Sequence, residues 1–178
     1  MATYSDALKE AYASNPVDQI IFDTLEIRHP AFVDDDGNPT AARIVIGYED
    51  LYATLESDAP MNAGEQVRFQ AMAVDVKRPG FEENQTPQLV ITMDNVGREL
   101  IGYLEAAASD PNVIEVTYRP YLLSDLSAPQ MDPPITMIAT DVQVDVFQVQ
   151  ITATLDDVTN WAFPHRLYQP ADFPGLIR

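Results

Sequence analysis

A chain of 178 residues that is 46 % hydrophobic fits a single domain, residues 1–178, with enough apolar side chains for a sizeable core. Its 28 Asp and Glu against 10 Lys and Arg give a formal charge of -18; such a surface repels phosphate, and the arginines are scattered from Arg28 to Arg178, so sequence-specific nucleic-acid binding is not expected. The absence of cysteine excludes disulfides, thiolate zinc sites and cysteine nucleophiles, and no run of about 18 apolar residues offers a membrane span.

The opening MATYSDALKEAYASNP has neither the basic start nor the apolar core of a signal peptide, so synthesis in a cytoplasm is expected. Residues 4–14 read as a short helix: Ser5 caps it, Leu8 and Tyr12 fall one turn apart, and Asn15-Pro16 stops it. Its apolar stripe is narrow and must pack on another element. Residues 18–29 turn β-like, with Ile20, Ile21, Phe22, Leu25 and Ile27 set among threonine and charged residues. RIVIGY at 43–48 and residues 51–56 predict two further strands. The alternation of Val67 and Phe69 with Arg68 and Gln70 then opens a longer strand to about residue 76.

Residues 77–87, KRPGFEENQTP, read as an exposed connection carrying Phe81. QLVITMD at 88–94 is a strand. Asn95 then starts the clearest helix, because Leu100, Ile101, Leu104 and Ala108 line one face while Arg98, Glu99 and Glu105 point away, until Asp110-Pro111 ends it. Residues 113–122 return to period two: Ile114, Val116 and Tyr118 face one way, Glu115, Thr117 and Arg119 the other, and Pro120 places the end of this strand at a sheet edge. A second proline-rich connection, 124–134, carries Leu126 and Met131. Further on, the alternation Val142, Val144, Val146 resumes as Phe147, Val149, Ile151. A slip of one residue exchanges the two faces, so the chain must form either a hairpin or one sharply coiled strand near residues 145–147.

Seven to nine strands and two helices without a βαβ rhythm predict a mainly β, α+β fold, an antiparallel β-sandwich or split barrel with a flanking α-helix.

The motifs that suggest chemistry have plainer readings. DDDGNP at 34–39 fails as a calcium loop: with Gly37 in sixth place, Phe32 falls first and Arg43 twelfth, where oxygen ligands are needed, so a hairpin tip is expected. Glu82-Glu83 and Asp156-Asp157 are read as solvated carboxylates, Asp156 also as a helix cap. His29 and His165 lack an HExxH or a marked nucleophile and are expected to be surface or strand-end histidines. Asn84-Gln85-Thr86 matches the glycosylation sequon, which matters only in a secretory pathway. No catalytic residue, metal ligand or cofactor is assigned.

What remains is the C-terminal segment 162–178, AFPHRLYQPADFPGLIR, rich in aromatic residues and proline. Phe163, Leu167, Tyr168, Phe173 and Leu176 suit either stapling across their own sandwich or docking on a neighbour, since proline lowers the entropy lost in holding an extended strip. A clasp serving both uses is expected.

DALKEAYASNP, LEIRHPAF, MDNVGRELIGYLEAA, IEVTYRPYLLSD, APQMDPP and AFPHRLYQPADFPGL occur in that order across nearly the whole chain. In these segments it resembles a family of tail proteins of long-tailed bacteriophages and prophages, whose genes lie near the tape-measure and tail-tip genes. The resemblance implies a structural virion protein at the distal end of the tail, made in the host bacterial cytoplasm, with a tail-tube-like fold. Its partners would be further copies of itself, six preferred and three possible, and the tail tube, tape-measure and tail-tip hub proteins. Such subunits close a ring by head-to-tail contacts. Phe81, Leu126, Met131, Phe163, His165, Arg166, Tyr168 and Phe173 are the candidate interface residues. The acidic excess then serves either solubility or a channel wall to which outgoing DNA does not stick. The rival expectations are a tail-tip hydrolase of cell wall or surface polysaccharide, and a receptor- or carbohydrate-binding sandwich using Trp161 and nearby tyrosines.

Overall fold

The computed structural model describes residues 3–14, 16, 19–34, 36–77, 88–94, 98–145 and 148–155. Most of the connection 77–87, with Phe81, the acid pairs Glu82-Glu83 and Asp156-Asp157, the sequon and the segment 162–178 lie outside the described residues.

Among the described residues eleven strands and two helices follow in the order β1 (Thr3–Tyr4), α1 (Asp6–Ser14), β2 (Ile21–Val33), β3 (Pro39–Ile46), β4 (Leu51–Thr54), β5 (Gln66–Met72), β6 (Val74–Lys77), β7 (Gln88–Asp94), α2 (Arg98–Ala108), β8 (Glu115–Leu122), β9 (Met131–Asp132), β10 (Ile135–Val144) and β11 (Gln148–Thr154). The fold is mainly β, as expected. Nine strands form one sheet in the order β4-β5-β3-β2-β8-β10-β11-β7-β6, and β1 pairs with β9 in a small ribbon. All pairings are antiparallel except β3 with β5, so the large sheet is mixed. Strands β5 and β6 are nearly continuous through Ala73, yet β5 pairs with β3 and β6 with β7. One stretch of chain thus spans both ends of the sheet, which curls around its contents without closing into a barrel.

The interior of the curl holds the larger core. Leu25 and Ile27 of β2, Ile44 of β3, Ile91 and Met93 of β7, Val116 of β8 and Ile151 of β11 meet Leu100, Leu104 and Ala107 of α2 there. The stripe that seats α2 is therefore i, i+4, i+7; Ala108, expected on it, is exposed. On the other face of β3 and β8, Val45 and Tyr121 contribute to a second core with Leu51, Ala53, Leu55, Val67 and Phe69. Here β4 and the loop after it form a second layer, fixed where the Tyr121 hydroxyl donates to the Thr54 carbonyl (2.9 Å) and the Thr54 amide to that of Leu126 (2.9 Å). Helix α1 covers one corner. The Ser5 hydroxyl caps it by accepting the Leu8 amide (3.1 Å), but the buried pair is Leu8 and Ala11, three residues apart, and Tyr12 is 42 % exposed.

The phase slip resolves as a hairpin. β10 and β11 pair antiparallel from Ile138↔Thr154 to Val144↔Val149, and the Asp145 amide donates to the Gln148 carbonyl. A register shift between Ala139 and Asp141 keeps Met137, Ala139, Val142 and Val144 on one face, because an extra residue restores the phase that strict alternation would lose. DDDGNP is the β2–β3 hairpin tip: Gly37 takes φ +81°, and the Asp34 carboxylate accepts the amides of Asp36 and Asn38.

Two edge readings are corrected. β8 is an interior strand between β2 and β10, but β10 reaches only as far as the Ile135↔Tyr118 pair. Pro120 lies beyond it. Its carbonyl accepts the Gln130 amide (2.8 Å), so its nitrogen, on the same side of the strand, faces ground that β10 has left. Likewise β2 runs past His29 and Pro30 to Val33. The ladder with β3 lapses between Arg28 and Val33, and the His29 Nδ1 atom accepts the Ala31 amide there.

Candidate functional site

Register places charges opposite one another on the outer face of the sheet. In the β2–β3 ladder Glu26 stands across from Arg43, and in the β2–β8 ladder Arg28 stands across from Glu115. Arg119, two residues beyond Thr117 on β8, points to the same face. The loop 55–65 then folds over them. Glu56 supplies two carbonyl bonds within it, from the Ala59 and Gly64 amides, and Asn62 (φ +54°) and Gly64 (φ +69°) provide its left-handed turns.

The result is a network of three arginines and three glutamates, buried at Glu26, Arg28 and Arg119 and open to solvent at Glu115, whose side chain is 47 % exposed. Arg119 is 0 % exposed and grips Glu56 with two parallel bonds, Nε to Oε2 at 2.7 Å and Nη2 to Oε1 at 2.6 Å. Glu26, also 0 % exposed, is the hub: its Oε2 accepts from Arg43 Nε at 2.9 Å, and its Oε1 lies 3.5 Å from Arg28 Nη1 and from Arg119 Nη1. Arg28 reaches Glu115 at 2.8 Å, and Arg43 reaches the Asn62 side chain at 2.7 Å. Three positive and three negative side chains make the cluster neutral. Its weakest corner is the meeting of Glu26 Oε1, Arg28 Nη1 and Arg119 Nη1, which have no hydrogen-bond partner. Neutral, buried at its centre and paired through planar forks, the cluster joins β2, β3, β8 and the loop into one unit.

Burial pushes the Glu56 carboxyl up, but the Arg119 donors, a backbone amide and the charges of Arg119 and Arg28 together hold it below the ordinary carboxylate range. A carboxylate depressed by folding contributes stability above its unfolded pKa, about 4.3, and that contribution is lost as pH falls through the lower folded value. Glu56→Gln should therefore cost stability at neutral pH, and the gap between variant and parent should narrow below about pH 4. Urea titrations at several pH values measure it; a gap constant from pH 7 to pH 3 would refute the assignment.

His29 is 5 % exposed, not on the surface. With Nδ1 taking the Ala31 amide, its Nε2 faces the Asn112 carbonyl at 3.1 Å and ties the α2–β8 connection to β2. Both ring nitrogens are used in holding the fold. Among the described residues no group of three or more His, Asp or Glu side chains is placed to hold a metal ion, and no helix is long and apolar enough to cross a membrane.

Of the candidate interface residues, Leu126 and Met131 are described. Leu126 is half-buried against the second core. Met131 is 2 % exposed within the larger core, and β9 pairs with β1, so this residue is already covered by its own chain. Exposed in the same connection are Leu123, Ser124, Asp125, Ser127 and Ala128. Phe81, Phe163, His165, Arg166, Tyr168 and Phe173 lie outside the described residues. The sequence reading missed the six-charge network, although Glu26 and Arg28 alternate with Leu25 and Ile27, and Arg119 follows Tyr118. Arg28, Arg43 and Arg119, three of only ten cations, falling within strand-like segments were the available signal.

Several hollows open on the surface of the described residues. One, of about 150 Å³, lies beside Arg43, Arg68 and Tyr103. Another, of about 310 Å³, lies beside Arg28, His29, Pro39, Pro60 and Glu115. A third, a groove of about 450 Å³, runs between α2 and β10, with walls of Ile101, Leu104, Ala108, Val113, Val142 and Val144. Large apolar side chains stand exposed elsewhere: Tyr48 is 104 % and Tyr52 56 % exposed at the β3–β4 corner, and Ile20 and Leu123, joined by a backbone bond, are 51 % and 47 % exposed beside α1.

Among curated proteins none matches this chain. A family model does, over residues 7–168, from the second residue of α1 to 14 residues past β11, and by that match the chain belongs to the family described as a domain of unknown function, DUF1833.

Proposed function

We propose that this chain is a structural subunit of a bacteriophage tail, a distal-tail or tail-tip ring protein that closes head to tail around the DNA path. Its neighbours in this reading are further copies, six to a ring, and the tail tube, tape-measure and hub proteins. The sequence resemblance to tail proteins supports it, and a curled β-sheet with one flanking helix is the architecture expected of a tail-tube-like subunit. The observation that carries it is the exposure of large apolar side chains at separate places on the surface, among them Tyr48 with Tyr52 and Ile20 with Leu123. A head-to-tail ring needs two different surfaces on each subunit, one to give and one to receive. Aromatic residues such as Tyr48 and Tyr52 are the usual anchors of a contact.

Sedimentation velocity on the full chain, with electron microscopy of any assembly, tests the reading. Closed rings are expected, and Tyr48→Ser with Tyr52→Ser should weaken self-association about tenfold or more. A formal charge of -18 on every copy opposes assembly. Raising salt from about 20 to 500 mM shortens the screening length from roughly 20 to 4 Å and should strengthen the ring. A chain that stays monomeric at every salt concentration, or one that hydrolyses peptidoglycan as a monomer, would overturn the proposal.

A further inference from the structure

We infer that the apolar groove between α2 and β10 is the seat of residues 161–168 of the same chain, WAFPHRLY. The inference does not depend on the ring reading, because it concerns a contact within one subunit. Four observations converge on it.

The first is position. β11 is the last strand among the described residues, and its Ala153 stands directly across from Ala139, which lines the groove; Leu155, one residue past β11, packs on the larger core. The described chain therefore ends, at Leu155, on the strand next to the one that lines the groove. The second is length. Six steps separate Leu155 from Trp161, an extended reach of about 20 Å, while Ala139 to Val144 along β10 spans roughly 17 Å. Any part of the groove is within range, with no slack for a distant site to be favoured.

The third is chemistry. Among the described residues of the groove wall Glu105 is the one charged side chain, and the rest is aliphatic apart from Asn112. In a chain of charge -18, residues 161–168 contain no acid. They offer Trp161, Phe163, Leu167 and Tyr168 to the apolar walls and Arg166 to Glu105. The fourth is the family boundary: the match ends at Tyr168, so the domain includes these residues and runs 14 past the end of the last described strand at Thr154.

The occupant is the chain's own segment and not a second copy's. A short tether holds it at an effective concentration in the millimolar range, whereas a second copy arrives against like charge.

Trp161 is the single tryptophan, which makes its emission a direct report on the groove. In the full-length protein, fluorescence should be blue-shifted, shielded from acrylamide and independent of protein concentration. A carboxylate on the groove wall should lower occupancy at least about tenfold, since it is left unpaired in an apolar setting. Val144→Asp and, on α2, Ala108→Glu should each move the emission toward that of free tryptophan. Both sites are solvent-accessible, so the fold should tolerate them, and circular dichroism checks this. Val33→Asp, at a residue equally exposed but on the β2–β3 hairpin, should change nothing. Emission typical of free tryptophan in the parent, or shielded emission that neither groove variant alters, would overturn the inference. With no native cysteine, Val144→Cys combined with Phe163→Cys settles whose segment it is. A cross-link within one chain is expected; cross-linked dimers with little intrachain product would instead seat a neighbour's segment there.

Discussion

Replacing Arg119 by alanine should cost the folded chain about 3–5 kcal/mol, a large share of the roughly 5–15 kcal/mol that holds a domain together. Arg119 is wholly buried and is the largest of the fully buried side chains. Its loss leaves Glu56 without its two-pronged partner and gives the cluster a net charge of -1 in a place closed to water. A cavity the size of the lost side chain adds to the cost. Arg119→Lys should recover little, because an ammonium is a point charge and cannot present two parallel donors to Glu56 while facing Glu26. The informative variant is the pair Arg119→Met with Glu56→Leu. It removes one charge of each sign and leaves Arg28 and Arg43 against Glu26 and Glu115, still neutral. It should regain most of the loss, since apolar replacement of a whole buried pair is often neutral or stabilising. Urea denaturation of the four chains measures this. A loss below about 1 kcal/mol for Arg119→Ala would mean that the cluster is wet and weak.

That cluster also marks how far the sequence could be read. β7 was legible to the residue because five apolar or β-forming positions, Leu89 to Met93, follow a proline-bearing connection. α2 was legible from its spaced leucines, and the hairpin at 145–148 from a phase slip, which only a reversal or a coil accommodates. These are local signals. The parallel pairing of β3 with β5 has none, since any two strands of suitable composition meet it equally well. Charges alternating with apolar residues on β2 and β8 read as a solvated face; Arg119 is closed off from water where the loop 55–65, arriving from elsewhere in the chain, brings Glu56 onto it. The β-like stretch read over residues 18–29 stopped at His29, whereas His29, by taking the Ala31 amide, lets β2 continue to Val33. Met131 looked like a surface residue on a proline-rich connection, and the β1–β9 ribbon turns it inward. The candidate interface residues were legible as a type, sticky and proline-spaced, but not as partners of a particular surface. The groove that we assign to residues 161–168 is built by α2 and β10, whose meeting is a tertiary event.

The groove depends in turn on how firmly α2 is held, and Phe32→Ala should show it. Phe32 is 0 % exposed, near the end of β2, with its ring 5.0 Å from that of Tyr103 on α2 and 5.6 Å from that of His29. Truncation removes the ring that fastens the outer side of the helix to the sheet and should cost about 3–5 kcal/mol in lost burial and residual cavity. Phe32→Leu should cost less, because a branched side chain refills much of the volume. The two variants also separate general stability from the groove. If α2 is one wall of the seat for Trp161, Phe32→Ala should loosen that wall in protein that is still folded, so acrylamide should reach Trp161 at urea concentrations well below the unfolding midpoint. The Arg119→Ala chain, weakened by a similar amount on the opposite face of the sheet, should keep Trp161 shielded until it unfolds as a whole. The same early exposure in both would mean that Trp161 reports only on overall stability, and that α2 is not the element that holds it.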